Sequence, residues 1–450
     1  MIAPPPAGDR SGPERVVIDS REAGPGALFV GLAGANTDGG RFAPQALANG
    51  AWGILTTAEH AEAAQCAMSG ALLAADDPLK ALHRLATAWR RWLGAEVIGV
   101  TGSTGKTSTK ELLLALLEPH RRAVASRANF NTEIGVPLEI LGAPDGTEVL
   151  VLEMAMRGQG EIAELAEIAE PDVGVIVSIG PAHLELLGSI EAIAAAKAEL
   201  IAGLKAGGTA IVPADEPLLA PHLRDDVVTV TFGDRGDVRL ASATDERVEI
   251  DLAGERLVLD VSFAQAHVRR NLLAAVAAAR AVGVTPERRL EYELPPGRGR
   301  RQSLPDSVTL IDDCYNANPM SMLAALDDLA AQAERSSHTR RVAVLGDMLE
   351  LGPDEREFHA EVGEQANRAQ VDVLVTVGPL AAAMRERFEG EIHSVGDATE
   401  AATLVPELMR PGDLVLVKGS RGVGLELVCR ALSEAPPTAA GPSRTSGAAR

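Results

Sequence analysis

The residues best suited to chemistry lie in GVTGSTGKTSTKELL, residues 99–113. An apolar run, EVIGV, precedes a turn with two glycines, and TSTKELLLALL follows, so the pattern predicts strand, loop and helix. The free N–H groups at the helix start would then point into the loop. Glycines let the backbone approach phosphate oxygens, the Lys106 ammonium would neutralise β/γ-phosphates, and the Thr107 hydroxyl would ligate Mg²⁺. Gly102, Ser103, Thr104, Gly105, Lys106, Thr107 and Ser108 are therefore a candidate site for the phosphates of ATP. The strict form of this loop has glycine five residues before Gly105, where this chain has Val100.

Downstream, NFNTEIGVPLEIL (129–141) carries Asn131 and Thr132, and a predicted strand, VLVLEM, delivers Glu153 at its carboxyl end. Ligands of open α/β sheets sit at that end of the strands, and a hard cation such as Mg²⁺ prefers carboxylate oxygen. The next predicted strand, DVGVIVSI, runs into GPAHLELLGSIEAIAAAKAEL, which places His183 at a strand end and Lys197 on a helix. Spacing alone gives these two no more than a structural or solvated role.

The elements that must position these residues are short apolar runs, such as TAIVP, VTLIDD, RVAVLGD, DVLVTVG and DLVLVKG. They alternate with helical patterns such as PLKALHRLATAWRRWL and RRNLLAAVAAARAVGV, which argues for α/β layering with mostly parallel, buried strands. A chain of 450 residues exceeds one hydrophobic core. A helix end at Gly94 and the stretch PPGRGRRQ (295–302) suggest domains at 1–94, 95–298 and 299–434, with 435–450 a disordered tail. The first 15 residues, rich in Pro and Gly, are also expected to be disordered.

The 42 basic and 63 acidic side chains leave a net charge of −21, which excludes a broad nucleic-acid surface or an anionic membrane as partner. No stretch approaches the length of an apolar membrane span, and no secretory signal opens the chain. Cys66, Cys314 and Cys429 form no CxxC pair and read as free thiols of a reducing cytoplasm. A cytoplasmic protein is expected.

From about residue 16 to 432 the chain resembles the Mur ligases, the ATP-dependent family that extends the peptide of the bacterial cell-wall precursor. The family loop TGxxGKTT corresponds to residues 101–108, its strand-end glutamate to Glu153 and its metal-binding histidine to His183. Its carbamylated lysine, the Lys of an AK pair, corresponds to Lys197. The resemblance thus implies catalytic roles for Lys106, Glu153, His183 and Lys197, with Mg²⁺ held by Thr107, Glu153, His183 and the carbamate. Carbamylation makes physical sense because CO₂ turns an ammonium into a carboxylate-like magnesium ligand.

EMAMRGQGEI, IDDCYNANPMSM, VLGDMLELG and LVLVKGSRG are similar to the member of that family that adds D-alanyl-D-alanine. The DNPR-type motif of the preceding, diaminopimelate-adding step is absent. DSREAGPGALFVGLAGANTDGGRF (19–42) resembles the family's UDP-binding segment, which implies that Ser20, Arg21, Gly34 and Asp38 meet the nucleotide-sugar. The Gly-His that usually follows the aspartate is Gly39-Gly40 here. By the same resemblance His267 and Asn271 in AHVRRN face adenine, with Val268 in place of the first Asn of HNxxN, and Arg298 and Asp313 reach the phosphates and ribose. Asn131, Thr132, Asn316, Asn318, Lys418, Ser420 and Arg421 would contact substrate. Cys314 and Ala155 replace a common Ser and Gly.

The fold so implied is α/β with three domains: a small N-terminal UDP-binding domain, a central P-loop domain with a parallel sheet, and a C-terminal Rossmann-like domain. The implied reaction activates the tripeptide carboxylate of UDP-MurNAc-tripeptide as an acyl phosphate, which the amine of D-Ala-D-Ala attacks, releasing ADP and phosphate. Its partners are these small molecules, and a monomer is expected. Another Mur-type or folylpolyglutamate-type amide ligase is the alternative, sharing the loop, Glu153, His183 and Lys197.

Overall fold

The computed structural model describes residues 12–65, 70–127, 129–287, 289–336 and 340–434. Cys66 and the expected tail at 435–450 lie outside the described residues, as do residues 1–11.

The first sheet is parallel, in the order β1 (Arg15–Val17), β2 (Ala27–Val30), β3 (Gly53–Thr56) and β4 (Ala71–Ala74). The disorder expected for the first 15 residues is corrected at its end. The Glu14 N–H donates to the Gly26 carbonyl (2.7 Å), and Arg15 is already in β1. Phe29, Ile54 and Leu47 are buried among small alanines in its core. With so few aromatics, Ala against Val, Leu and Ile fills the space at close packing.

The predicted helix Pro78–Leu93 follows. Asp77 caps it by accepting from the Lys80 N–H (3.0 Å), Pro78 occupies the first turn where no donor is needed, and Gly94 ends it with φ 64°. Arg90 then donates through Nε to the Ala169 carbonyl (3.0 Å) and pairs with Asp172 (2.9 Å), which ties this helix to the next sheet.

That second sheet has ten strands in the order β14-β13-β12-β11-β10-β9-β8-β5-β7-β6. The strands are β5 (Glu96–Thr101), β6 (Ala123–Ala125), β7 (Val149–Glu153), β8 (Val173–Ile176), β9 (Thr209–Pro213), β10 (Val228–Phe232), β11 (Val238–Ala243), β12 (Arg247–Leu252), β13 (Glu255–Val261) and β14 (Arg289–Leu290). β5 sits between β7 and β8 and all its neighbours run parallel to it. Its continuous apolar run is what burial on both faces selects.

The expectation of mostly parallel, buried strands fails over residues 238–261. There β11, β12 and β13 form an antiparallel meander with partly solvated faces. RVEIDL and ERLVLDV alternate polar with apolar residues, a period-2 signal that a search for continuous apolar runs passes over. Ala253 (φ 51°) and Gly254 (φ 103°) make the hairpin turn between them. The helix predicted from Arg269 begins three residues earlier, spanning Ala266–Ala281.

The third sheet has the order β15-β16-β20-β17-β18-β19. Its strands are β15 (Arg300–Ser303), β16 (Thr309–Asp313), β17 (Arg340–Gly346), β18 (Val373–Val377), β19 (Glu391–Val395) and β20 (Asp413–Lys418). All neighbours are parallel except β15 and β16. Two apolar layers, one on Leu326, Leu345 and Leu416 and the other on Val344, Val417 and Val428, cover its faces.

The described chain divides into two compact units. One holds the residues up to Ser178 with Ala194–Val261 and Arg270–Leu290; the other holds Ile179–Ile193, Ser262–Arg269 and the residues from Glu291 on. No helix among the described residues is long and apolar enough to cross a membrane.

Candidate active site

In the first unit the phosphate loop is built on β5. Val100, where the strict pattern has glycine, is wholly buried in the strand and pairs in register with Glu153 and Val175. The strand therefore runs to Thr101, and the turn needs only Gly102 (φ 156°) and Gly105 (φ 80°). Gly105 cannot be enlarged, because a Cβ there would lie 2.6 Å from Asn271 Oδ1. Asn271, expected near adenine, is thus seated against the loop. Val268, which stands for the missing Asn, is wholly buried.

The helix Lys106–Leu117 starts directly after Gly105, with no side chain capping it, so its first N–H groups face the loop. Lys106 Nζ donates to the Gly102 carbonyl (2.7 Å). Ser178, just beyond β8, braces the loop: its Oγ accepts from the Thr104 N–H (2.9 Å), and its carbonyl accepts from the Ser103 N–H (3.0 Å). Nothing in the sequence singled out Ser178, which falls within the predicted strand DVGVIVSI and lies two residues past the end of β8 in the structure.

Glu153 ends β7 and is 3% exposed. Its Oε2 accepts from the Thr107 hydroxyl (2.9 Å) and its Oε1 from Asn131 Nδ2 (2.9 Å). Its own N–H donates to Ser126 Oγ (2.7 Å). Thr107, Asn131 and Glu153 are therefore brought together, whereas Thr132 is exposed. The Ser126 carbonyl in turn accepts from the ammonium of Lys110, which is fully buried and also pairs with Glu111 (2.9 Å). Lys110 and Ser126 form a support beneath Glu153 that the motif did not reveal, although a lysine on the buried side of an apolar helix was a signal.

Lys197, on the helix Ile190–Ala202, is 2% exposed. Burial, reinforced by the charge of Lys106, holds its ammonium well below the usual lysine range. No hydrogen bond or ion pair to its side chain is found among the described residues. A neutral amine is the form that adds CO₂, so the residue fits a carbamate chemically. The Glu153 carboxylate and Thr107 hydroxyl fit Mg²⁺, being hard oxygen donors in mutual contact.

The second unit holds the other candidates. His183 does not sit at a strand end as expected: β8 stops at Ile176, and His183 precedes the short helix Leu184–Leu187 with φ 58°. Six intervening residues, with Gly180 packed on Met320, form a loop of their own. His183 Nδ1 contacts Glu350 Oε2 at 2.5 Å, and the Glu185 N–H donates to the Glu350 carbonyl (3.2 Å). Glu350 lies within GDMLELG but was not singled out.

At the carboxyl ends of β16 and β20, Lys418 Nζ donates to Asp313 Oδ2 (2.7 Å) and to the Asn316 carbonyl (3.0 Å). Burial pushes the Asp313 carboxyl up against the opposing pull of Lys418. His267 is held below the usual histidine range by burial, with Asp328 and Asp313 opposing. Ser420 Oγ donates to the Ala317 carbonyl (3.3 Å) and accepts from the Leu349 N–H (3.0 Å), joining the YNANP, GDMLELG and KGSRG segments. Arg298 and Arg421 place their guanidinium carbons 4.1 and 5.6 Å from the ring centre of Tyr315, another residue not singled out. Asn318, expected to bind substrate, caps the helix Pro319–Arg335: its Oδ1 accepts from the Ser321 N–H (2.9 Å) in a capping box.

In the N-terminal sheet Arg21 is exposed and pairs with Asp19, while Ser20 accepts through its carbonyl from Asn49 (3.4 Å). The Gly34 N–H donates to the Thr37 carbonyl (3.0 Å), and Asp38 Oδ1 accepts from the Gly40 N–H (2.9 Å). Any side chain at Gly40 would meet Thr56 and His60. His60 Nε2 lies 3.7 Å from Asp38 Oδ2, so an imidazole reaches this aspartate from position 60. A cavity of about 480 Å³, lined by Ala58, Ala74, Asp76, Lys80 and Arg84 among others, opens off the ends of β3 and β4.

Three family models match the chain: the Mur ligase family catalytic domain at 14–90, the Mur ligase middle domain at 100–279, and the Mur ligase glutamate ligase domain at 297–421. The UDP-N-acetylmuramoyl-tripeptide--D-alanyl-D-alanine ligase of Bacillus subtilis is 37% identical over 432 residues, covering 94% of this chain and 93% of that one. The ligase of the same name from Mycobacterium tuberculosis strain H37Rv is 39% identical, covering 96% and 94%. The crystal structure of MurF ligase from Thermotoga maritima in complex with ADP superposes with a TM-score of 0.82 at 31% identity, covering 93% and 97%.

Proposed function

Because the chain belongs to the Mur ligase family, we propose that it joins D-alanyl-D-alanine to UDP-N-acetylmuramoyl-tripeptide in peptidoglycan precursor synthesis. It is an ATP-dependent, ADP-forming amide ligase. The observation that carries this reading is the phosphate loop coupled to a strand-end carboxylate through the Thr107–Glu153 hydrogen bond. The likeness of nearly the whole chain to ligases of that name selects the substrates.

A carboxylate is a poor electrophile in water and needs a leaving group before an amine can attack it. On this reading the tripeptide carboxylate attacks the γ-phosphorus of ATP, ADP departs, and the amine of D-Ala-D-Ala attacks the resulting acyl phosphate, expelling phosphate. Lys106 and the helix start behind it neutralise the transferring phosphoryl group and hold it in line. In the first unit we assign Thr107, Glu153 and a carbamylated Lys197 as magnesium ligands. In the second unit His183 is a further ligand through Nε2, with Glu350 fixing Nδ1. Bound Mg²⁺ would supply charge neutralisation on the phosphoryl oxygens.

Asn271 and His267 are assigned to adenine, and Arg298 and Asp313 to phosphates and ribose. Ser20, Arg21, Gly34 and Asp38 are assigned to the UDP moiety, and Asn131, Asn316, Lys418, Ser420 and Arg421 to the peptides. We divide the chain at 94/95 and 298/299, and place the protein in the cytoplasm as a monomer.

Incubation with ATP, UDP-MurNAc-tripeptide and D-Ala-D-Ala tests the assignment by product mass. The pentapeptide with one ADP per product is expected. Activity on a different amine, with none on D-Ala-D-Ala, would overturn it.

A further inference from the structure

Cys314 and Cys429 are far apart in sequence, and neither takes part in the ligation chemistry above. Cys314 follows β16 directly; Cys429 lies on the helix Glu426–Glu434 packed against that sheet. The two thiols and the Asp312 carboxylate offer donor atoms that all lie within 4.8 Å of one another. Cys429 Sγ is 3.4 Å from Asp312 Oδ1, which also accepts from the Cys314 N–H at 3.4 Å. Oδ2 of the same carboxylate accepts from the Gly297 N–H at 3.1 Å, so its orientation is fixed from both sides. The sulfurs are 5% and 9% exposed as residues, while Asp312 is only partly buried.

We propose that Asp312, Cys314 and Cys429 form a binding site for one Zn²⁺ ion, a d¹⁰ cation that accepts both thiolate sulfur and carboxylate oxygen. Zinc with Zn–S bonds of about 2.3 Å and Zn–O bonds of about 2.0–2.2 Å holds its ligand atoms roughly 3.3–3.8 Å apart, a spacing the Asp312–Cys429 pair already has. Three protein ligands leave the fourth tetrahedral position to water on the more open Asp312 side. Binding displaces both thiol protons to solvent, so the cation replaces hydrogen bonds that now run through S–H groups.

The rival reading is an oxidisable thiol pair. The Cys314 hydrogen bond, burial and the Asp312 charge push the Cys429 thiol up, and oxidants attack thiolates. A cation reverses that penalty by pairing with the negative charges the site accumulates. Because Cys314 follows Asp313, the ion would also anchor the backbone that carries the Asp313–Lys418 pair.

The full chain, reduced and stripped with a chelator, can be titrated with Cd²⁺ while the sulfur-to-metal charge-transfer band is followed. Zn²⁺ is then measured by competition with a chromophoric chelator. One equivalent is expected, with the band lost in Cys314→Ser and in Cys429→Ser and kept in Cys66→Ser. Asp312→Asn should weaken zinc binding while leaving the cadmium band. Cys314→Ser restores the residue common in the ligases this chain resembles, so it keeps the test valid if Cys429→Ser does not fold. Absence of the band in a parent with three titratable thiols, or its survival in Cys314→Ser, would overturn the site. Ready formation of a Cys314–Cys429 disulfide by peroxide without metal uptake would overturn it too.

Discussion

His183 Nδ1 lies 2.5 Å from Glu350 Oε2, and both residues hold left-handed backbone, with φ of 58° and 64°. Each such conformation costs a non-glycine residue about 1–3 kcal/mol, so the pair persists only because surrounding contacts over-determine it. A carboxylate at Nδ1 favours the tautomer with the proton on Nδ1 and the lone pair on Nε2, the nitrogen that would ligate a metal.

Glu350→Gln should therefore lower ligation by roughly 10–100-fold at limiting magnesium, with the loss partly recovered at high magnesium. A magnesium titration of ADP release in parent and variant measures this. Equal magnesium curves would mean that Glu350 does not orient a ligand.

Lys197→Met separates stability from chemistry. Burial lowers the folded pKa of this lysine, so between that value and the ordinary 10.5 the unfolded chain binds the extra proton. Stability of the uncarbamylated parent thus rises with pH through that window, and the methionine variant should lack the rise. Thermal melts in CO₂-free buffer from neutral to alkaline pH test the sign. Activity should be lost in the variant, and removal of CO₂ should lower that of the parent.

Lys110→Met removes the donor to the Ser126 carbonyl and leaves that carbonyl without it at a buried position. A destabilisation of about 1–3 kcal/mol is expected. A fall in nucleotide affinity should accompany it, because Ser126 also holds the backbone of Glu153. Chemical denaturation and equilibrium ATP binding read the two effects; an unchanged affinity would confine Lys110 to the core.

Asn318 offers a sharp contrast between cap and ligand. Asn318→Ser keeps a capping oxygen and should retain near-parental activity, whereas Asn318→Ala should cost about 0.5–2 kcal/mol of stability. Loss of activity in the serine variant with an unchanged melting temperature would give the amide a substrate role.

The sequence by itself determined what is local. EVIGV, GSTG and KTSTKELLLALL encode a buried strand, a turn that needs positive φ and an apolar-faced helix, each within a few residues. The Pro78–Leu93 helix was legible to the residue, because Asp77, Pro78 and Gly94 are chemical stops that act on the nearest backbone. The meander at 238–261 was encoded as well, in a period-2 pattern that a search for continuous apolar runs did not read.

Tertiary structure alone decided which distant side chains meet. Val100 could replace a glycine because β5 extends to Thr101, a matter of register with β7 and β8. Ser178, Lys110 and Ser126 acquired their roles from strand order, which brings the ends of β5, β7 and β8 together. Glu350 met His183, and Cys429 met Asp312, across long separations that carry no local signal. Short-range sterics and hydrogen-bonding rules act within a turn or two of the chain. Pairing between its remote segments is set by which buried surfaces and donors remain to be satisfied once the sheets have formed.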